Sequence, residues 1–232
     1  MTYPRQAGPR PAALPPERRT IGQVVAESIR FYGARFFPSL ALGTPAAAMV
    51  ALGSWLPGTG RTAAVLAVGA LLCAAALVAA VRLVHPAARA SRALPSAVAA
   101  GLVVFLPVLL ARIVVFQGIY LLALAWLTVS VFAVPAVLVE GSSLPGSLRR
   151  SLALARAGVG HAAGALLTLL VTIVLTALVL TFLLRGFSDQ SLRVAALVAL
   201  LVVSPLFFLG AAILYEDQAA RARLAATDRG GS

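Results

Sequence analysis

Residues 97–139 read AVAAGLVVFLPVLLARIVVFQGIYLLALAWLTVSVFAVPAVLV. In 43 residues this run holds a single charge, Arg112. As one helix it would be about 64 Å long at ~1.5 Å per residue. That is twice the ~30 Å hydrocarbon core of a bilayer. The run is therefore read as two membrane spans back to back. The break is placed at Gln117-Gly118, the polar-plus-glycine pair near its middle.

Working outward, four more apolar segments of spanning length appear. The predicted set is 39–56, 62–84, 97–116, 118–139, 161–184 and 192–215. Composition agrees: 61% of the 232 residues are apolar and 11% are charged, with a mean hydropathy of +0.98. Soluble domains carry ~25% charge, so a soluble globular domain and a disordered chain are both excluded. The expected fold class is all-α, a polytopic helical bundle of six transmembrane helices with amphipathic interfacial helices. Residues 1–19, with Pro4, Pro9, Pro11, Pro15 and Pro16, are expected to form a disordered cytoplasmic tail, and 224–232 a flexible C-terminal one. No apolar core follows in the first thirty residues, so no signal peptide is expected.

All nineteen basic residues are arginine, against seven acids, for a net charge of +12. In a soluble protein this would suggest nucleic-acid binding. Here fifteen arginines fall on the N-terminal side of the six-span arrangement and four (Arg61, Arg112, Arg185, Arg193) on the other. That asymmetry predicts both termini inside a cytoplasmic membrane and accounts for the charge without nucleic acid. The arginine-only, Ala/Leu/Val-rich usage suggests a GC-rich bacterial genome. Cys73, alone in an apolar run, permits neither an intrachain disulfide nor a cysteine metal site.

Thr20-Ile21-Gly22-Gln23 has the form of a capping box. Beyond it Val24, Val25, Ile29, Tyr32 and Phe36 recur at helical spacing, predicting an amphipathic helix before the first span. A second is predicted at 144–156, and a weaker third at 86–96. Arg18, Arg19, Arg30, Arg35, Arg149 and Arg150 on these segments are the candidate contacts to anionic lipid head groups, at ~1 kcal/mol each.

No span contains Asp, Glu or Lys, which weighs against an ion-coupled transporter. Without lysine there is no nucleotide-binding P-loop. His85, His161, Glu140, Glu216 and Asp217 lie near the inner face without metal-ligand spacing; no cofactor and no metal are expected. Arg112, about 6 Å of rise from its span end, is read as snorkelling, or else as a functional intramembrane charge. In the fifth span Gly160, Gly164, Thr168, Thr172 and Thr176 fall at four-residue steps. They form a packing seam or, alternatively, a polar groove face. Pro45, Pro107, Pro135 and Pro205 are expected to kink their spans.

Three stretches carry a resemblance. TIGQVVAESIRFYGARFFPSLALGTP (20–45) resembles the opening of a family of bacterial and archaeal membrane proteins. AVPAVLVEGSSLPGSLRRSLALAR (133–156) resembles its proline and Val-Glu-Gly exit from the fourth span followed by an arginine-serine amphipathic helix. Tyr215-Glu216-Asp217 with Arg221 and Arg223 resembles its ending, although these arginines fall later than the family's spacing. This is the six-span family related to the membrane domain of some glycerophosphoryl diester phosphodiesterases. The resemblance implies a six-helix membrane fold and a lipid-linked context; the phosphodiesterase catalytic domain has no counterpart here. The expected function is a non-enzymatic accessory module that binds membrane lipids, anionic ones foremost, or a membrane protein partner. The alternatives are a transporter or lipid-translocating protein, and an inner-face membrane enzyme using Glu140, His161 and Asp217.

Overall fold

The computed structural model describes residues 15–55, 58–86, 88, 93–113, 118–184 and 189–230. The chain is an all-α helical membrane bundle, and no strand occurs among the described residues. After a 3-10 turn at Pro16–Arg18, the helices are α1 (Ile21–Ala34), α2 (Phe36–Leu40), α3 (Thr44–Trp55), α4 (Gly58–Val84) and α5 (Leu94–Leu110). There follow α6 (Ile119–Ser130), α7 (Ala133–Glu140), α8 (Leu144–Ala157), α9 (Val159–Leu184), α10 (Asp189–Val203) and α11 (Pro205–Gly230). Five helical stretches are long and apolar enough to cross a membrane: Phe36–Gly53, Gly60–Val84, Ile119–Glu140, Val159–Leu180 and Val194–Thr227. Leu94–Leu110 is a shorter apolar helix. Helix α6 starts directly after Gly118, where the long apolar run was expected to break; residues 114–117 lie outside the described residues.

Two terminal expectations are corrected. Arg19 is ordered, tied to α11, so the tail read over 1–19 does not extend to its last residues; 1–14 lie outside the described residues. Helix α11 continues to Gly230. No proline or glycine interrupts it between Gly210 and Gly230, so residues 224–230 are helix rather than flexible tail.

Prolines divide the spans, and side chains take up what they leave unpaired. Pro107 has no N–H for the Val103 carbonyl; the Trp126 indole of α6 donates to it at 3.2 Å, and to Val104 O at 3.2 Å. The turn between α6 and α7, ahead of Pro135, frees carbonyls at the end of α6. Ser151 of α8, fully buried, donates to Val129 O at 2.6 Å. Pro205 opens the sixth apolar segment between α10 and α11. The Leu201 carbonyl it leaves faces Gly43, so closely that no Cβ would fit between them. In lipid each such group must find a protein partner.

The core sits around α4, α7 and α11. Ala133 to Leu138 of α7 are all buried, as are Leu77 and Val81 of α4 and Leu209 and Leu214 of α11. Helix α4 packs closely on α5, where a Cβ at Gly101 would stand 2.6 Å from Ala74 Cβ. Helix α9 differs. Ala162, Ala165, Leu166 and Leu169 near its start are buried, whereas Val171, Val174, Leu175 and Leu178 are exposed. A face this apolar is one a bilayer covers.

Helix α1 forms where it was expected, with both hydrogen bonds of the capping box (Thr20 to Gln23) in place. Val24 and Ser28 are fully buried, so its inner face packs on protein, while Ile29, Phe36 and Phe37 stay exposed. Helix α8 forms behind Ser143, whose side chain accepts from Gly146 N. Of the interfacial segment expected at 86–96, residues 87 and 89–92 lie outside the described residues, and its last residues are the start of α5.

Candidate functional site

Two features stand out: a polar knot at the end of the bundle that carries Arg19, and an apolar groove in its wall. The knot is organised by α11. Tyr215, Glu216, Asp217 and Gln218 are consecutive, so at ~3.6 residues per turn they point in four directions and reach four neighbours. The Tyr215 hydroxyl donates to Glu140 Oε1 at 2.8 Å, and Arg150 Nε donates to both Glu140 oxygens at 2.9 and 3.0 Å. Glu140 is placed by the end of α7, where Gly141 adopts φ 68°, a left-handed conformation that glycine takes without strain. Glu216 Oε1 lies 3.4 Å from His85 Nδ1, just past the end of α4.

Asp217 faces the other way. It is fully buried, with Arg19 donating to Oδ1 at 3.1 Å and His161 Nε2 3.8 Å from Oδ2. Arg221 donates to the Arg19 carbonyl at 2.9 Å, and Gln218 to Gly158 O at 3.4 Å. Asp217 follows the apolar run of the sequence, which ends at Tyr215. Burial lifts its carboxyl to about 6; Arg19 and Arg221 oppose the rise and Glu216 adds to it. The knot therefore brings His161 and Asp217 together and holds Glu140 on the opposite side of α11. Among the described residues no three His, Cys, Asp or Glu side chains form a group that would hold a metal.

The six candidate lipid-contact arginines divide. Arg19 is spent on Asp217, Arg150 on Glu140, and Arg30 on Glu27 at 2.7 Å. Arg35 donates to Leu83 O at 2.9 Å and lies 5.2 Å from the Phe31 ring centre. Arg18 and Arg149 are exposed, and neither has an ion pair among the described residues. Arg112 sits in a 3-10 turn at Ala111–Ile113, and its side chain lies outside the described residues.

The glycine and threonine stripe of α9 does not act as one surface. A Cβ at Gly164 would stand 2.5 Å from Ile21 Cδ1, so Gly164 is where α1 seats; at Gly160 the space is open. Thr168, Thr172 and Thr176 each donate at 2.8 Å to the carbonyl four residues earlier, so their hydroxyls are satisfied within α9.

The groove lies between α3, α4, α5, α6, α9 and the start of α11, with a volume of about 730 Å³. Pro45, Met49, Phe105, Leu124, Phe207 and Phe208 form its floor and sides, and Tyr120, Leu121, Val171, Val174 and Leu175 its lip. The lip residues are exposed, so it opens sideways from the bundle. None of the three threonines lines it. The Ser204 hydroxyl, which has no hydrogen-bond partner, is one of its few polar groups. Sequence reading missed the groove because lipid-facing and groove-facing residues are equally apolar. It missed the Asp217 pairing because nothing local links positions 19 and 217.

Compared with known proteins, the chain matches no family model, no curated protein and no solved structure.

Proposed function

We propose that this protein is a non-enzymatic membrane module that holds a lipid acyl chain in the groove between α6 and α9. The observation that carries the reading is the groove itself: about 730 Å³, almost wholly apolar, and open toward the bilayer. That volume falls within the ~300–1,000 Å³ of sites that enclose a small ligand. A transmembrane partner helix about 10 Å across and 30 Å long would fill several times as much. A chain is therefore favoured over a helix as occupant.

The knot end faces the cytoplasm in this reading, supported by the fifteen-to-four division of arginines that the sequence pattern assigns. The three stretches that resemble the phosphodiesterase-associated membrane family meet there. Arg19, next to the first, bonds Asp217 of the third, and Glu140 of the second bonds Tyr215. A lipid-linked role is what that resemblance implies.

The test is purification of the full chain in a mild non-ionic detergent, with quantification of the lipid that stays bound. Val171→Trp and Leu175→Trp fill the lip without touching the core. Each is expected to lower retained lipid severalfold while the protein stays monodisperse. Unchanged lipid would refute the groove as the site. A stoichiometric protein lost with the same substitutions would make the occupant a partner helix.

A further inference from the structure

Next to the groove, at the end of the bundle away from the knot, lies a second, more polar cavity. This cavity has a volume of about 260 Å³ and is lined by Met49, Gly53, Arg61, Thr62, Leu109 and neighbours. Met49 and Leu109 line both cavities, so the two lie side by side. Arg61 and Thr62 are exposed in the early turns of α4, which begins at Gly58. The N-terminal turn of a helix favours negative charge. The hydrogen bond found for Arg61 is a long one, 3.4 Å to Gly53 O, and among the described residues no carboxylate pairs with it.

The dimensions fit one class of molecule. From Arg61 to His85, at the knot, α4 and its end rise about 36 Å, somewhat more than the ~30 Å hydrocarbon core. With His85 at one surface, Arg61 therefore stands at the head-group level of the opposite one. Cys73, on the deep wall of the groove, is twelve residues from Arg61, about 18 Å along the helix and close to the thickness of one leaflet.

Building on the acyl-chain reading above, we infer that the ligand is an anionic lipid of the leaflet opposite the knot. Its phosphate sits against the Arg61 guanidinium and its chain lies in the groove. Arginine suits this role because its planar fork meets phosphate oxygens two at a time. Thr62 adds a hydroxyl donor at the same mouth. The apolar groove on the other side of Met49 and Leu109 supplies what a soluble phosphate would not use.

The experiment is native mass spectrometry of the full chain in detergent, titrated separately with phosphatidylglycerol and phosphatidylcholine. Wild type is expected to prefer the anionic lipid about fivefold, the worth of one arginine at a membrane surface. Arg61→Gln is expected to bind both lipids equally, with chain binding retained, and Arg61→Lys to keep part of the preference. Excess glycerol 1-phosphate is expected to leave the bound lipid in place. An unchanged preference in Arg61→Gln would overturn the head-group assignment, as would displacement by glycerol 1-phosphate. Val171→Trp separates the two readings: losing both lipids leaves the groove standing whatever Arg61 does, and losing neither removes both proposals. Helix content by circular dichroism confirms that each variant is folded.

Discussion

Arg19 NH1 lies 3.1 Å from Asp217 Oδ1, joining positions 198 residues apart. The carboxylate is fully buried and the guanidinium mostly so. A buried pair is not itself a strong source of stability, but breaking one side leaves an uncompensated charge. Arg19→Gln is expected to lower unfolding stability in detergent by about 3 kcal/mol. Asp217→Asn in the same chain should recover most of the loss. A double variant as unstable as Arg19→Gln alone would show that the pair is not what Arg19 contributes.

Asp217 also sets a pH dependence. Its carboxyl is raised to about 6 in the folded protein, against about 4 for an unfolded aspartate. The folded state thus binds this proton more tightly than the unfolded state. Its contribution is complete below about pH 4 and is lost as the pH rises through 6. Thermal unfolding should show this part of the stability falling between pH 4 and 7 in wild type and absent in Asp217→Asn. Equal slopes in the two proteins would refute it.

Trp126 and Pro107 form a conditional pair. The indole serves a carbonyl that has no N–H partner only because residue 107 is proline. Trp126→Phe is expected to cost about 1 kcal/mol for the hydrogen bond. In a Pro107→Ala background the helix supplies its own N–H, so that part of the cost should disappear. A double-mutant cycle measures the difference directly, and strict additivity would contradict the pairing.

The glycines rank by what surrounds them. Gly101→Val drives into the Ala74 backbone and side chain and should cost about 2 kcal/mol or more. Gly164→Leu displaces Ile21 and should expose α1 to proteolysis. Gly160→Leu enters open space and should be tolerated. Changing Thr168, Thr172 and Thr176 together to valine is expected to leave lipid retention intact, since none of them lines the groove. Loss of retention in that triple variant would restore the threonines as a functional face.

What could be read from the sequence was what depends on neighbours in the chain. The capping box at Thr20 and Gln23 spans three residues, and the break beside Gly118 follows from polarity and glycine alone. Pro205 announces its own interruption. The close approach expected along α9 is found at Gly164, but those at Gly101 against Ala74 and at Gly43 against Leu201 were not anticipated. In an alanine-rich span every face is small, so pattern does not reveal which one meets a neighbour. The arginines were read as a lipid-facing set because their sequence positions show flanking charge and not the acids that fold back onto them. Glu140 and Asp217 become their partners only once α7 and α11 are packed. The groove is a property of six helices together and has no signature in any one of them.

The Arg19 pairing also has a place in time. A ribosome adding ~5–20 residues per second needs roughly 10–40 s to pass from position 19 to position 217. For all of that interval the guanidinium has no Asp217 to meet and stays an uncompensated positive charge. Once the last helix is inserted the same charge is withdrawn into the folded protein. The clasp is thus among the last contacts the chain can make, and a chain truncated before α11 would keep the charge and lose its partner.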